Sequence, residues 1–386
     1  MLEQLCDSDA LSIESLQRIF DEGIIGKGDV AIKSKNSMMI YGSSFFHRAC
    51  YNKQITEGII DYLLDFYPEA ARIITDYFCS DRLDKDRKST SFALHLACLN
   101  SHCSSDIVVK LVKLNTEALD IENMCVIGTE IQTGDYDHTN VEGTPLHYYL
   151  SRTSNVNLEV VKLFMKMYPN STRFADEEAA FAPIHVLCFN PGVNDMLDVL
   201  RFLIDSDPES VQFPGGYSSV PFLMACQNTN ATVELLNILL EYWPEAIHQT
   251  DVSGENAMHL LSSNDELDEQ ASEELFHFIL GKKFDLLRET DLDEYLPIHC
   301  AARHKSPKFC QLLLDAYPES LKIGVEGSLP FHEACYGGLR VDTVKFLHKL
   351  YPECIGMEDE YGYLPIHKAA QNRGEQAAEI IKYILC

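Results

Sequence analysis

Apolar residues along this chain fall into short blocks that alternate between two kinds. The first kind opens on a proline followed by apolar or small residues, as in Pro145-Leu146, Pro183-Ile184, Pro221-Phe222, Pro297-Ile298, Pro330-Phe331 and Pro365-Ile366. Proline suits the first residue of a helix, where its missing N–H costs nothing and its fixed φ is already helical. The second kind is longer and apolar at helical spacing, as in Val160 to Met165, Leu235 to Leu240, Phe309 to Leu314 and Val344 to Leu350. Most of these blocks end at a Tyr-Pro, Trp-Pro or Asp-Pro step, and the residue before proline is driven out of the helical region. Turn chemistry follows, in Asp251-Val-Ser-Gly254, Glu326-Gly327-Ser328 and Asp359-Glu-Tyr-Gly362. The predicted unit is helix, helix, turn.

That unit repeats. A histidine sits two residues after the proline at His147, His185, His299, His332 and His367, with weaker copies at His47, His95 and His259 and a leucine in its place at Leu223. The nine anchors are separated by 48, 52, 38, 38, 36, 40, 33 and 35 residues. In phase with them run Tyr67-Pro68-Glu69, Tyr168-Pro169, Asp207-Pro208-Glu209, Trp243-Pro244-Glu245, Tyr317-Pro318-Glu319 and Tyr351-Pro352-Glu353. A period of this length marks a solenoid, in which a helix pair that cannot bury its apolar face alone stacks on its neighbours.

The phrase Gly143-Thr144-Pro145-Leu146-His147 and the turn Asp251-Val-Ser-Gly254 ahead of His259 resemble ankyrin repeats. The resemblance runs from about Ser44 to the C-terminus. It implies an all-α solenoid of stacked helix pairs, about nine repeats with the last incomplete, preceded by a helical cap and linker over residues 1–43. It also implies a protein-binding surface and no intrinsic catalysis. Two departures stand out: Tyr-Pro-Glu replaces the glycine-alanine-aspartate turn with which the family usually ends its second helix, and leucine takes the threonine position at Leu296, Leu329 and Leu364. The two long intervals place inserted material near Phe78 to Thr90 and Met124 to Thr139.

Composition narrows the partner. Lysine and arginine number 31 against 59 acidic residues, a net charge of −28, which repels nucleic acid and anionic membranes and favours a basic protein surface. The predicted tips carry Asp251, Glu255, Asp291, Asp293, Glu294, Glu326, Glu358, Asp359 and Glu360, which stacking would align into an acidic partner-binding edge. The alternative is that they are simply solvated turns.

Other candidate chemistry is weaker. His-x-x-Cys at His47/Cys50, His95/Cys98, His185/Cys188 and His332/Cys335 has the spacing of two zinc ligands on a helix face. Each copy lies in a different repeat, however, and neighbouring helices pack roughly 8–10 Å apart, too far to share one ion. The expectation is that the histidines fix helix starts by hydrogen bonding and the cysteines fill the core. Gly23 to Gly28 lacks the spacing of a phosphate loop, and Asp291-Leu-Asp293-Glu294 lacks the glutamate of a calcium loop. No metal, cofactor or catalytic residue is expected.

The N-terminus has no basic region followed by an apolar stretch, so the thirteen cysteines are expected reduced, in the cytoplasm or the nucleus. Leu11 to Phe20 is predicted to form an amphipathic capping helix exposing Glu14, Gln17 and Arg18. At the other end, Ile380, Ile381 and Ile384 are expected either to point into the stack or to meet another chain. The functional expectation is a non-enzymatic scaffold or adaptor. Its competitors are a substrate-recruiting subunit of a larger enzyme complex and a metal- or thiol-dependent catalyst.

Overall fold

The computed structural model describes residues 2–6, 8–21, 45–72, 74–78, 88–115, 144–151, 156–172, 181–190, 196–215, 218–337, 340–372, 374 and 376–385. The expected segments 124–139 and Gly23 to Gly28, and residues 79–87 of the first insertion, lie outside them. The chain divides into two compact units, residues 1–210 and 211–386.

The first unit opens with two helices, α1 (Leu2–Cys6) and α2 (Ile13–Asp21). Then come helix pairs α3 (Phe45–Tyr51) and α4 (Glu57–Phe66), α5 (Ala93–Leu99) and α6 (Ser105–Leu114), α7 (Pro145–Leu150) and α8 (Leu158–Met167), and α9 (Pro183–Phe189) and α10 (Met196–Ser206). First helices pack on first helices, α1 on α3 on α5 on α7 on α9, and second helices on second helices, α2 on α4 on α6 on α8 on α10. The N-terminal pair therefore takes the place of a repeat at the start of the stack. Its second helix buries Leu16, Ile19 and Phe20 and exposes Glu14, Gln17 and Arg18, as the amphipathic pattern requires. Phe20 stacks on Phe66 with ring centroids 3.9 Å apart.

The first insertion adds something the helical reading did not contain. Strands β1 (Ile74–Phe78) and β2 (Lys88–Phe92) pair antiparallel in a register running from Ile74 opposite Phe92 to Phe78 opposite Lys88.

The second unit is a regular helix-pair stack: α11 (Pro221–Gln227) and α12 (Val233–Tyr242), α13 (Ala257–Ser263) and α14 (Glu269–Lys282), α15 (Pro297–His304) and α16 (Pro307–Ala316), α17 (Pro330–Gly337) and α18 (Val341–Leu350), and α19 (Pro365–Gln371) and α20 (Ala377–Leu385). Again first helix stacks on first helix, and second on second. The first helices α11, α13 and α17 are buried nearly all round, which is why they read as mostly apolar or small residues rather than as amphipathic stripes, whereas α19 buries only Pro365 and Ala369.

Each Tyr-Pro step does what its sequence dictates. Tyr67, Tyr168, Trp243, Tyr317 and Tyr351 end their helices with φ near −140° and ψ near 80°, and a 3-10 turn begins at the proline that follows. Lys283 ends α14 in a similar extended conformation with no proline after it. The break is therefore built into the stack, and proline reinforces it.

Candidate functional site

The anchor histidines hold the first helices in place. Six of the rings accept at Nδ1 the backbone N–H three residues earlier: Thr144 on His147, Ala182 on His185, Leu296 on His299 and Leu329 on His332, all at 3.1 Å, Asn256 on His259 at 3.3 Å and Leu364 on His367 at 2.9 Å. With Nδ1 accepting, the proton lies on Nε2. That N–H donates to the carbonyl of the next unit's turn: Phe181 from His147 at 3.0 Å, Tyr295 from His259 at 2.9 Å, Ile323 from His299 at 3.1 Å and Met357 from His332 at 3.1 Å. Burial holds His259 and His299 at pKa values of about 4, so both stay neutral. The cysteines of the His-x-x-Cys pairs are buried thiols, and burial drives Cys50, Cys188 and Cys335 well above the ordinary thiol range. Among the described residues no three His, Cys, Asp or Glu side chains gather as a metal would need.

A second ladder was not anticipated from the sequence. Five residues after the anchor, an asparagine donates back to the carbonyls that end the preceding first helix. Asn100 reaches Cys50 O (3.0 Å) and Asn52 O (2.9 Å), Asn190 reaches Leu150 O (2.6 Å), Asn264 reaches Cys226 O (3.2 Å) and Asn228 O (3.1 Å), and Asn372 reaches Cys335 O (3.2 Å). These are carbonyls a helix end leaves without partners. The signal was present as Asn52, Asn100, Asn190, Asn228, Asn264 and Asn372, all at one offset from the anchors.

The nine acidic tip residues separate into two groups. Asp251, Asp291 and Asp359 fold inward and close their turns. Asp251 Oδ1 accepts from Ser253 and Glu255 N–H, both at 2.9 Å, Asp291 Oδ1 from Asp293 (3.0 Å) and Tyr295 (2.7 Å), and Asp359 Oδ1 from Tyr361 (3.0 Å) and Tyr363 (2.8 Å). Asp359 is buried and its second oxygen lies 3.0 Å from Lys368 Nζ. In the Asp291 turn these bonds use one carboxylate oxygen for backbone amides. Glu255 is half-buried; burial first, then the charges of Asp251 and Asp291, raise its pKa to about 7 against the opposing pull of Arg303. The remaining five, Asp293, Glu294, Glu326, Glu358 and Glu360, are exposed.

Neighbouring tips are tied together in pairs. Leu292 N–H donates to Ser253 O at 2.9 Å, and Gly254, at φ +78°, lets the two turns approach. Glu360 N–H donates to Glu326 O at 2.8 Å and the Tyr361 hydroxyl to Glu326 Oε2 at 2.6 Å. Below the tips, Arg303 pairs with buried Glu333, whose other oxygen accepts from Ser328 Oγ at 2.8 Å. The Arg303 guanidinium also lies 5.3 Å from the Tyr295 ring centre and 5.7 Å from that of Tyr336, while Lys368 Nζ is 5.7 Å from that of Tyr363. Tyr295 and Tyr363 each stand four residues before an anchor histidine and Tyr336 four after one, but only the cations over their rings show what the positions do.

At the C-terminal helix, Ile380 is buried in the stack, Ile381 and Ile384 are half-buried, and Leu385 is exposed. No described helix is long and apolar enough to cross a membrane.

Residues 299–386 match the family model described as ankyrin repeats (3 copies). Those residues are ankyrin repeats. Among curated relatives it is 26% identical to Inversin of Canis lupus familiaris and 25% identical to Inversin of Homo sapiens, each over 147 residues. Those alignments cover 36% of this chain and 12% of the relative, so the likeness spans about an eighth of those proteins. Similar solved structures include the human ASB11 ankyrin repeat domain, at TM-score 0.45 and 14% identity over 63% of this chain and 96% of that one. The ankyrin repeat domain of Bcl-3 aligns at TM-score 0.42 and 17% identity over 62% of this chain and 98% of that one. Ankyrin repeats are a protein–protein interaction module.

Proposed function

We propose that this chain is a non-enzymatic scaffold or adaptor of the cytoplasm or nucleus that holds a protein with a basic surface along the tips of its second unit. The observation that supports this reading is the set of exposed carboxylates Asp293, Glu294, Glu326, Glu358 and Glu360, which stand on turns fixed by hydrogen bonds while no described lysine or arginine pairs with them. A fixed edge of one charge sign speeds encounter with the opposite sign and costs little ordering on binding.

The test is affinity capture with the full chain and with a variant carrying Asp293→Asn, Glu294→Gln, Glu326→Gln, Glu358→Gln and Glu360→Gln. These side chains are exposed, so the variant is expected to fold. A partner retained by the parent, released by salt and lost from the variant supports the reading. Retention equal in both baits rejects the acidic edge. A catalytic subunit in the retained material would make the chain a recruiting subunit of an enzyme complex.

A further inference from the structure

We infer that the face formed by Val252, Leu292, Tyr336, Tyr361 and Tyr363 docks an extended segment of another protein in which arginine or lysine side chains alternate with apolar ones. This rests on the protein-binding reading above and names the chemistry of the partner.

Turns are polar where water is their only neighbour. Here Val252 is 53% exposed, Leu292 74% and Tyr361 66%, each at the crest of a turn, with Tyr336 and Tyr363 at 44% and 43% beside them. Large apolar side chains held out on fixed backbone are the anchors that binding energy concentrates on, and tyrosine is the residue most at home there. The fixing is explicit, since the Leu292 amide is bonded to Ser253 O and the Tyr361 hydroxyl to Glu326.

The charge of the partner follows from how the face treats its own cations. Arg303 lies against two tyrosine rings with its charge met by Glu333, and Lys368 against one ring with its charge met by Asp359. Ring plus carboxylate is thus the local arrangement that receives a cation. The same pairing stands exposed at Tyr361, beside Glu326 and Glu360. Nearby, Asp251, Glu255 and Asp291 repel one another, with Arg303 the opposing charge, and Cys300 beside them is a neutral thiol. An arriving cation relieves that repulsion. A second copy of this chain, at −28, brings the wrong sign, as does nucleic acid.

The probes are three fluorescein-labelled synthetic peptides with Gly-Ser spacers: one alternating arginine and leucine, one glutamate and leucine, one arginine and serine. Each is titrated with the full chain at about 150 mM salt and followed by anisotropy. The arginine–leucine peptide is expected to bind, the glutamate–leucine peptide not to bind, and the arginine–serine peptide to bind roughly tenfold more weakly. Leu292→Ser, which keeps the backbone bond to Ser253, should weaken the arginine–leucine peptide by roughly tenfold while leaving the thermal unfolding midpoint in place.

Equal binding by parent and variant overturns the inference, as does equal binding of the leucine and serine peptides. Self-association seen by sedimentation and abolished by Leu292→Ser also overturns it, because the occupant would then be a second copy. If capture in the preceding experiment still yields a salt-sensitive partner, the broader reading survives that failure. If capture yields none, both fall.

Discussion

The two units use the same joints and build different tips on them. In the first, Asn100 bonds the carbonyls of Cys50 and Asn52 and His147 bonds Phe181 O; in the second, Asn264 bonds those of Cys226 and Asn228 and His259 bonds Tyr295 O. Between joints the first unit carries anchors 48 and 52 residues apart and a strand hairpin, whereas the second closes turns with an aspartate and a glycine at positive φ. A repeat is therefore defined by how one first helix is bonded to the next, and the length of chain between joints is free to vary. The family model, matching only residues 299–386, responds where the intervals fall to 33 and 35 residues.

The strongest way to break that equivalence is to remove one joint in each unit. His147→Ala and His299→Ala each delete a fully buried ring with a bond on both nitrogens, and each is expected to cost roughly 3–4 kcal/mol. Hydrogen exchange resolved by segment is the suitable readout, because a two-unit chain has no single unfolding free energy. Loss of protection in α7 and α9 for the first variant and in α15 and α17 for the second is expected. If His147→Ala leaves the first unit protected, the joints are not equivalent.

The second unit also contains a joint that deviates from the rule. Where the asparagine ladder would continue at α15, Lys305 takes over, its ammonium donating to Asn264 O and, at 3.0 Å, to Ser272 Oγ. The side chain is buried, and burial, partly offset by Asp265, brings its pKa from 10.5 down to about 8. Between those values the unfolded chain binds more protons than the folded one, so stability rises with pH; the penalty is complete below about 8 and gone above about 10.5. Relative to Lys305→Met, the parent should gain about 3 kcal/mol across that window, read from urea unfolding of the second unit at successive pH values. A flat difference would show the ammonium to be hydrated in the folded state.

How far the sequence revealed all this depends on whether a residue's role was local. The prolines, the Tyr-Pro breaks and the anchor histidines act on their own helix, and their positions alone located the helices. The asparagine ladder acts between units: Asn264 means little until Cys226 and Asn228 are seen to lie opposite it. The acidic tips were legible as turns but not as two populations, because only the hydrogen bonds show that Asp251, Asp291 and Asp359 are engaged in closing their turns. The two strands of the first insertion lie outside the repeat pattern that located the helices, and Tyr295, Tyr336 and Tyr363 came to notice only through the cations lying over them.

The smallest effect falls on the tips themselves. Gly254 and Gly362 share φ +78°, so alanine at either meets the left-handed penalty of roughly 1 kcal/mol. Their surroundings differ: a Cβ on Gly254 would lie 2.9 Å from Leu292 N, whereas one on Gly362 has nothing within 4 Å. Gly254→Ala must therefore push the Asp291 turn away and break the Leu292-to-Ser253 bond as well, adding roughly 1–2 kcal/mol that Gly362→Ala does not incur. Thermal unfolding of the two variants reads the difference, and the arginine–leucine peptide reads its consequence, since displacing Leu292 should weaken binding while Gly362→Ala leaves it in place. Equal losses of stability would mean that the close approach of Gly254 to the Asp291 turn contributes nothing, and the docking face would lose its fixed backbone at Leu292.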